Sequence, residues 1–168
     1  MTIVMRQRNL SVLALTALAV AAMILPSAVS AGSVATGQRI MLVQKHRFGS
    51  PNGTFVLYAL TEGPLQLDSG TYMLGAVEKP HILRKGQSIA VYKAIETLTG
   101  KQGTFAIRWR AELVGAGEGS IVGTGSWSLI RGTGAYAGAS GSGRFAVVVM
   151  TPRGLTSSQF EGFVRVLT

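Results

Sequence analysis

The chain has 168 residues, a formal net charge of +9, 14% charged residues and no cysteine. Without cysteine, disulfides, thiol catalysis and thiolate metal sites are excluded, so stability must come from packing and a closed hydrogen-bond network. All 22 glycines follow residue 31. Glycine at that density weakens helices by about 1 kcal/mol per site, and the apolar partners are Val, Ile, Phe, Tyr and Trp, which suit strands.

Residues 1–31 read as a leader. Arg6 and Arg8 give a basic start, Leu10 to Leu25 is an uncharged apolar run, Pro26 breaks the helix, and Val29 and Ala31 are small residues at the −3 and −1 positions. That layout predicts a secretory signal helix cleaved after Ala31, because the run falls short of the ~20 residues that span a bilayer. The chain then divides into 1–31, a signal peptide, and 32–168, one folded domain. The expected product is secreted, extracellular or associated with the envelope, with no membrane span after processing. An exported chain without cysteine points to a bacterium.

From Gly32 onward, glycine and proline punctuate at short intervals: "GSPNG" at 49–53, "EGP" at 62–64, "DSG" at 68–70, "EKP" at 78–80, "RKG" at 84–86, "TGKQG" at 99–103 and "GAGEG" at 115–119. Between them we predict strands at Arg39–Lys45, Thr54–Leu60, Thr71–Val77, Gln87–Leu98, Thr104–Val114, Ser120–Ile130, Gly143–Met150 and Ser158–Leu167. In "TFAIRWRAELV", Phe105, Ile107, Trp109, Ala111 and Leu113 share one parity, and Thr104, Ala106, Arg108, Arg110 and Glu112 share the other. A period of two puts the apolar set on one face. In "QSIAVYKAIET" neither parity is purely polar, so either both faces are covered or a barrel interior carries Tyr92 and Glu96. Eight such strands predict an all-β sandwich or barrel.

The stretch "GSWSLIRGTGAYAGASGSGRF" (125–145) is no linker, because large apolar residues recur through it. It is no phosphate loop either, since it lacks the lysine of a P-loop and no βαβ unit follows it. It reads as a strand, a glycine corner and a returning strand, with Tyr136 plugging a barrel end or packing beneath the corner.

This corner resembles that of the allene oxide cyclase-like and dirigent-like β-barrels, in which a strand is followed by Gly-Gly-Thr-Gly, an aromatic residue and a small-residue turn. Gly132, Thr133, Gly134, Tyr136, Gly138 and Gly141 supply the pattern. Arg131 stands where the first glycine would be, and Ser140 where those families often have arginine. The chain is also similar to a group of small exported actinobacterial proteins of unknown function, through Gly86–Tyr92, Thr97–Thr104, Val122–Trp127, Arg131–Gly138 and Glu161–Val164. The resemblance implies a single eight-stranded antiparallel β-barrel of the allene oxide cyclase-like or calycin-like kind. It does not imply the cyclase or dirigent reaction, since fold does not fix function.

The chemistry-bearing residues are few. His46 and His81 both neighbour turn signals and read as surface residues, and they form no metal-ligand spacing. Of seven carboxylates, Glu62, Asp68, Glu78 and Glu118 flank turns and read as solvated, whereas Glu96, Glu112 and Glu161 fall in strands. A carboxylate inside an apolar barrel would have a raised pKa. The commoner outcome is an ion pair, with Arg108, Arg110, Arg144 or Arg165 as the partner. The basic residues are scattered in sequence, and nucleic acid is not an expected partner.

These residues predict an exported barrel that binds a small apolar or aromatic ligand. The expected lining is Tyr92, Trp109, Trp127, Tyr136 and Phe163, with Glu96 or Arg165 as the orienting polar group. No catalytic residue, metal or cofactor is assigned, and homo-oligomerisation is left open. Two alternatives belong to other classes. One is a cofactor-free isomerase or cyclase, which the resemblance to allene oxide cyclase implies. The other is a structural basic protein adhering to anionic envelope polymers. A large empty lumen favours ligand binding or catalysis, and a filled lumen with a one-sided basic face favours adhesion.

Overall fold

The computed structural model describes residues 37–78, 81–84 and 89–166. The predicted leader, residues 1–31, lies outside the described residues. The strands are β1 (Gln38–Arg47), β2 (Asn52–Ala59), β3 (Asp68–Val77), β4 (His81–Arg84), β5 (Ile89–Gly100), β6 (Thr104–Gly117), β7 (Ser120–Gly132), β8 (Ser140–Met150) and β9 (Leu155–Arg165). Each of the eight predicted strands is present. The additional strand, β4, is four residues long.

All neighbours pair antiparallel, in the order β3-β2-β1-β9-β8-β7-β6-β5, and β3 then pairs with β5 to close a ring of eight. β4 pairs with the start of β5, beyond the stretch of β5 that meets β3. Closure leaves the barrel strands without free edges. The fold is thus all-β, one antiparallel eight-stranded barrel.

Alternation sets what faces inward. Ile40, Leu42 and Gln44 of β1, Phe55 and Leu57 of β2, and Ala94, Glu96 and Leu98 of β5 are buried at every second position, and Phe160 and Val164 of β9 are buried on one parity. On β6, Phe105, Ile107 and Ala111 are buried while Arg108, Arg110 and Glu112 are exposed. Both explanations for the mixed pattern of β5 hold in part. Glu96 is interior, and Val91, of the opposite parity, is also buried, where β5 pairs with β4.

Aromatic rings fill much of the interior. Phe55 meets Phe105 edge-on at 5.8 Å, and Phe105 lies 4.4 Å from Tyr136. Phe145 stacks on Phe160 at 4.6 Å and meets Trp109 at 5.7 Å. Trp127 is buried against Gly162, where an added Cβ would lie 2.8 Å from the indole. Rings of this size pack to near-crystalline density, so the lumen is filled around them.

Candidate functional site

The two barrel ends differ. One is sealed by the β2–β3 loop, the β5–β6 turn and the glycine corner between β7 and β8. Gly134 takes φ +59, and a Cβ there would lie 2.3 Å from the Gln102 carbonyl oxygen. The close approach lets the Ala135 amide donate to that same oxygen at 2.9 Å. A short 3-10 turn, Gly134–Tyr136, then directs Tyr136 inward. Tyr136 is 1% exposed, and its hydroxyl donates to Asp68 Oδ2 at 2.8 Å. Asp68 also accepts from the amides of Ser69 (2.7 Å) and Lys101 (2.9 Å). The expectation that Asp68 is solvated is therefore overturned. It is buried because it ties two turns and the plug together. Burial, reinforced by the Asp68 hydrogen bond and charge, pushes the Tyr136 hydroxyl pKa upward, so the plug stays neutral.

The other end is a mouth. Inward-pointing residues here are only half-buried: His46, Leu74, Tyr92, Trp109, Leu113 and Val147. Glu96 lies among them, 5% exposed. Gln44 Nε2 donates to one of its oxygens at 2.7 Å, and Trp109 Nε1 donates to the other at 2.8 Å. Gln44 is on β1 and Trp109 on β6, so the carboxyl links the wall across the lumen. Burial raises the Glu96 pKa above its ordinary 4.5, while the two hydrogen bonds act in the opposite sense. Among the described residues no arginine pairs with it. Of the expected arginine partners Arg110 pairs, with Glu112 on the outer face, while Glu161 meets Arg39, which was not among them, each at 3.3 Å.

Beside Glu96, His46 Nδ1 shares a hydrogen bond with the Tyr72 hydroxyl. Burial lowers the His46 pKa, and burial together with the Glu96 charge raises that of Tyr72. Both groups are thereby held neutral. His46 is thus not the surface residue its turn context suggests. It stands on the inner face of β1, one step before the strand ends. His81 lies on β4, not in a loop. On β9, next to His46 in register, Thr156 is 5% exposed, and its hydroxyl has no hydrogen-bond partner among the described residues.

The predicted lining residues separate into three places. Tyr92, Glu96 and Trp109 all lie at the mouth, with Trp109 bonded to Glu96. Trp127 and Tyr136 are core, with Trp127 Nε1 donating to the Glu161 carbonyl oxygen at 3.1 Å. Phe163, 58% exposed, and Arg165 point outward from β9 and line no lumen. They have the opposite parity to Phe160 and Val164, which are inside. Sequence reasoning missed Gln44, His46, Tyr72 and Thr156. Parity within "QRIMLVQKH" does place Gln44 and His46 with Ile40 and Leu42, and was the available signal. Among the described residues, no three His, Asp or Glu side chains gather as metal ligands. No protein-family model and no curated protein sequence matches the chain.

Proposed function

We propose that the protein is an exported binding protein whose barrel mouth takes a small, largely apolar molecule carrying one polar group. The carrying observation is the placement of Tyr92, Trp109 and Glu96 where inward-facing side chains remain half-exposed. The rings supply apolar contact. A carboxyl whose pKa is raised by burial keeps its proton longer than an ordinary one and can donate it to a carbonyl or hydroxyl oxygen. The Thr156 hydroxyl, without a hydrogen-bond partner among the described residues, is a further polar group at this end. An anionic head group would meet a negative Glu96 once that group ionises, so the site suits neutral ligands. Export rests on the character of residues 1–31, and kinship with the allene oxide cyclase-like and dirigent-like barrels is part of the same proposal.

One observation favours a second reading. Glu96 is the buried carboxyl of this mouth, and it could exchange a proton with a bound molecule. Cofactor-free isomerisation is therefore the alternative to simple binding.

The test uses a neutral fluorescent probe, N-phenyl-1-naphthylamine, titrated into the protein while probe emission is followed. Saturable binding is expected, weakened about tenfold, or about 1.4 kcal/mol, by Trp109→Phe. Phe163→Ala, on the outer face, should bind as wild type does. Absence of saturation, or equal affinity in Trp109→Phe, contradicts the mouth site.

A further inference from the structure

Outside the barrel, closure assembles a feature that the linear sequence disperses. A groove of about 760 Å³ runs over the outer face of β6, β7, β8 and β9, between Arg110 on one side and Arg144 and Glu161 on the other. Its floor carries short side chains, among them Ser126 of β7. Two adjacent cross-strand rows supply the chemistry, the first lining the groove and the second lying beside it. One row runs Arg110, Ser126, Arg144, Glu161, and the next runs Arg108, Ser128, Ser142, Phe163. Arg108, Arg110, Arg144 and Phe163 are exposed. Among the described residues, neither Arg108 nor Arg144 is in an ion pair.

We propose that this groove binds a linear acidic polysaccharide bearing carboxylates, of the uronate type. Each element of such a chain has a counterpart. Guanidinium groups pair with carboxylates in a planar, two-pronged geometry. Ser126 and Ser128 offer hydroxyls that both donate and accept, matching sugar hydroxyls. Phe163 presents an exposed ring at the end of its row, against which the C–H face of a sugar can lie. With strands about 4.8 Å apart, four strands span roughly 14 Å, room for a few sugar rings laid along the rows.

The charge density selects this occupant over nucleic acid. Duplex DNA carries one charge per about 1.7 Å. Here Glu112 and Glu161 alternate with the arginines, held by Arg110 and Arg39 respectively. A densely charged polymer would be repelled at those points, while one with sparse carboxylates can place them on Arg108 and Arg144 alone.

The experiment is calorimetric titration of the purified protein with polygalacturonate, with its methyl ester and with duplex DNA, at low and raised salt. Binding to polygalacturonate is expected, weakening as salt rises. The methyl ester, which keeps the sugar backbone without its charge, should bind at least about tenfold more weakly. The double variant Arg108→Gln, Arg144→Gln should lose about tenfold at an unchanged melting temperature, and Phe163→Ala should lose several-fold. Lys101→Gln, which removes one positive charge in the β5–β6 turn, and Glu96→Gln, at the mouth, should both bind as wild type. The proposal is overturned if polygalacturonate does not bind, if its methyl ester binds equally well, if DNA binds as tightly or more so, or if the double arginine variant is unaffected. The ester and DNA arms need no variant, so they decide even if a substitution disturbs folding.

Discussion

Asp68 and Glu96 are both buried, at opposite ends of the barrel, and their partners differ in kind. Asp68 accepts from backbone amides of the turns and from Tyr136. Removing one donor from such a set leaves a buried acceptor short, at about 1–3 kcal/mol. Tyr136→Phe should accordingly lower stability by that order, measured by urea denaturation; an unchanged midpoint would mean that the plug is held by ring packing alone. Glu96 has side-chain partners only. Its raised folded-state pKa means that the native protein binds its proton more tightly than the unfolded chain. Its contribution is full below about 4.5 and is lost as pH rises through the folded value. His46 acts oppositely, because burial lowers its pKa below 6.5 and stability falls as pH drops from there. The difference between wild type and Glu96→Gln isolates the Glu96 part. Wild type should lose stability relative to the variant as pH rises above about 4.5, and parallel curves would contradict a carboxyl whose pKa burial raises. The role of Asp68 could not be read from the sequence, and for Glu96 the interior position was expected but the partners Gln44 and Trp109 were not. "DSG" has the composition of a solvated turn, and Glu96 differs from other strand carboxylates only by parity within a strand whose other positions are ambiguous.

At the scale of single elements, alternation carried most of the information. β9 obeys it closely, which is why Phe160 is 1% exposed and Phe163 58%, and β6 departs from it at Ala106, expected on the polar face but buried where the register against β7 shifts. Phe160→Ala should cost about 3–5 kcal/mol, while Phe163→Ala should fall within about 0.5 kcal/mol of wild type. Thermal melts of the two variants distinguish the faces, and equal losses would place both rings in the core. The strands extend past their predicted limits where polar residues continue the ladder. β9 begins at Leu155 rather than Ser158, because Leu155, Thr156 and Ser157 pair with β8 although their pattern is not apolar. β4 was illegible for a related reason: four residues between turn signals carry too little periodicity. The corner was legible, because only glycine tolerates its backbone. Gly134→Val meets both an unfavourable φ of +59 and a carbonyl oxygen 2.3 Å from the new Cβ. Gly117, at φ +82, has nothing within 4 Å. Gly117→Val should therefore cost the backbone strain alone, about 1–3 kcal/mol, and Gly134→Val distinctly more. Equal melting temperatures would sink the corner's interlocking role.

For the whole molecule, closure determines what comes together. Strands distant in sequence become neighbours, so Gln44 reaches Glu96 across the lumen. Arginines that are scattered in the sequence line one outer groove because β6, β7 and β8 lie side by side. The lumen is filled around its aromatic rings and open at the mouth, and the basic residues of β6 and β8 share an outer face. A filled lumen and a basic outer face are the features expected of outward adhesion, and the large empty lumen expected of binding is replaced by a mouth whose inward-facing side chains are half-exposed. Only three of the seven predicted site residues lie at the mouth, because a one-residue difference in parity sends Phe163 and Arg165 outside, and Trp127 and Tyr136 are consumed in packing. The mouth reading is most directly tested by the two indole N–H signals in a ¹H–¹⁵N NMR titration with N-phenyl-1-naphthylamine, since the chain has only two tryptophans. Trp109 Nε1–H, bound to Glu96 at the mouth, should shift progressively and saturate, while Trp127 Nε1–H, bound to the Glu161 carbonyl in the wall, should stay in place. Movement of Trp127 with Trp109 unmoved, or of neither signal, would contradict a ligand site at the mouth.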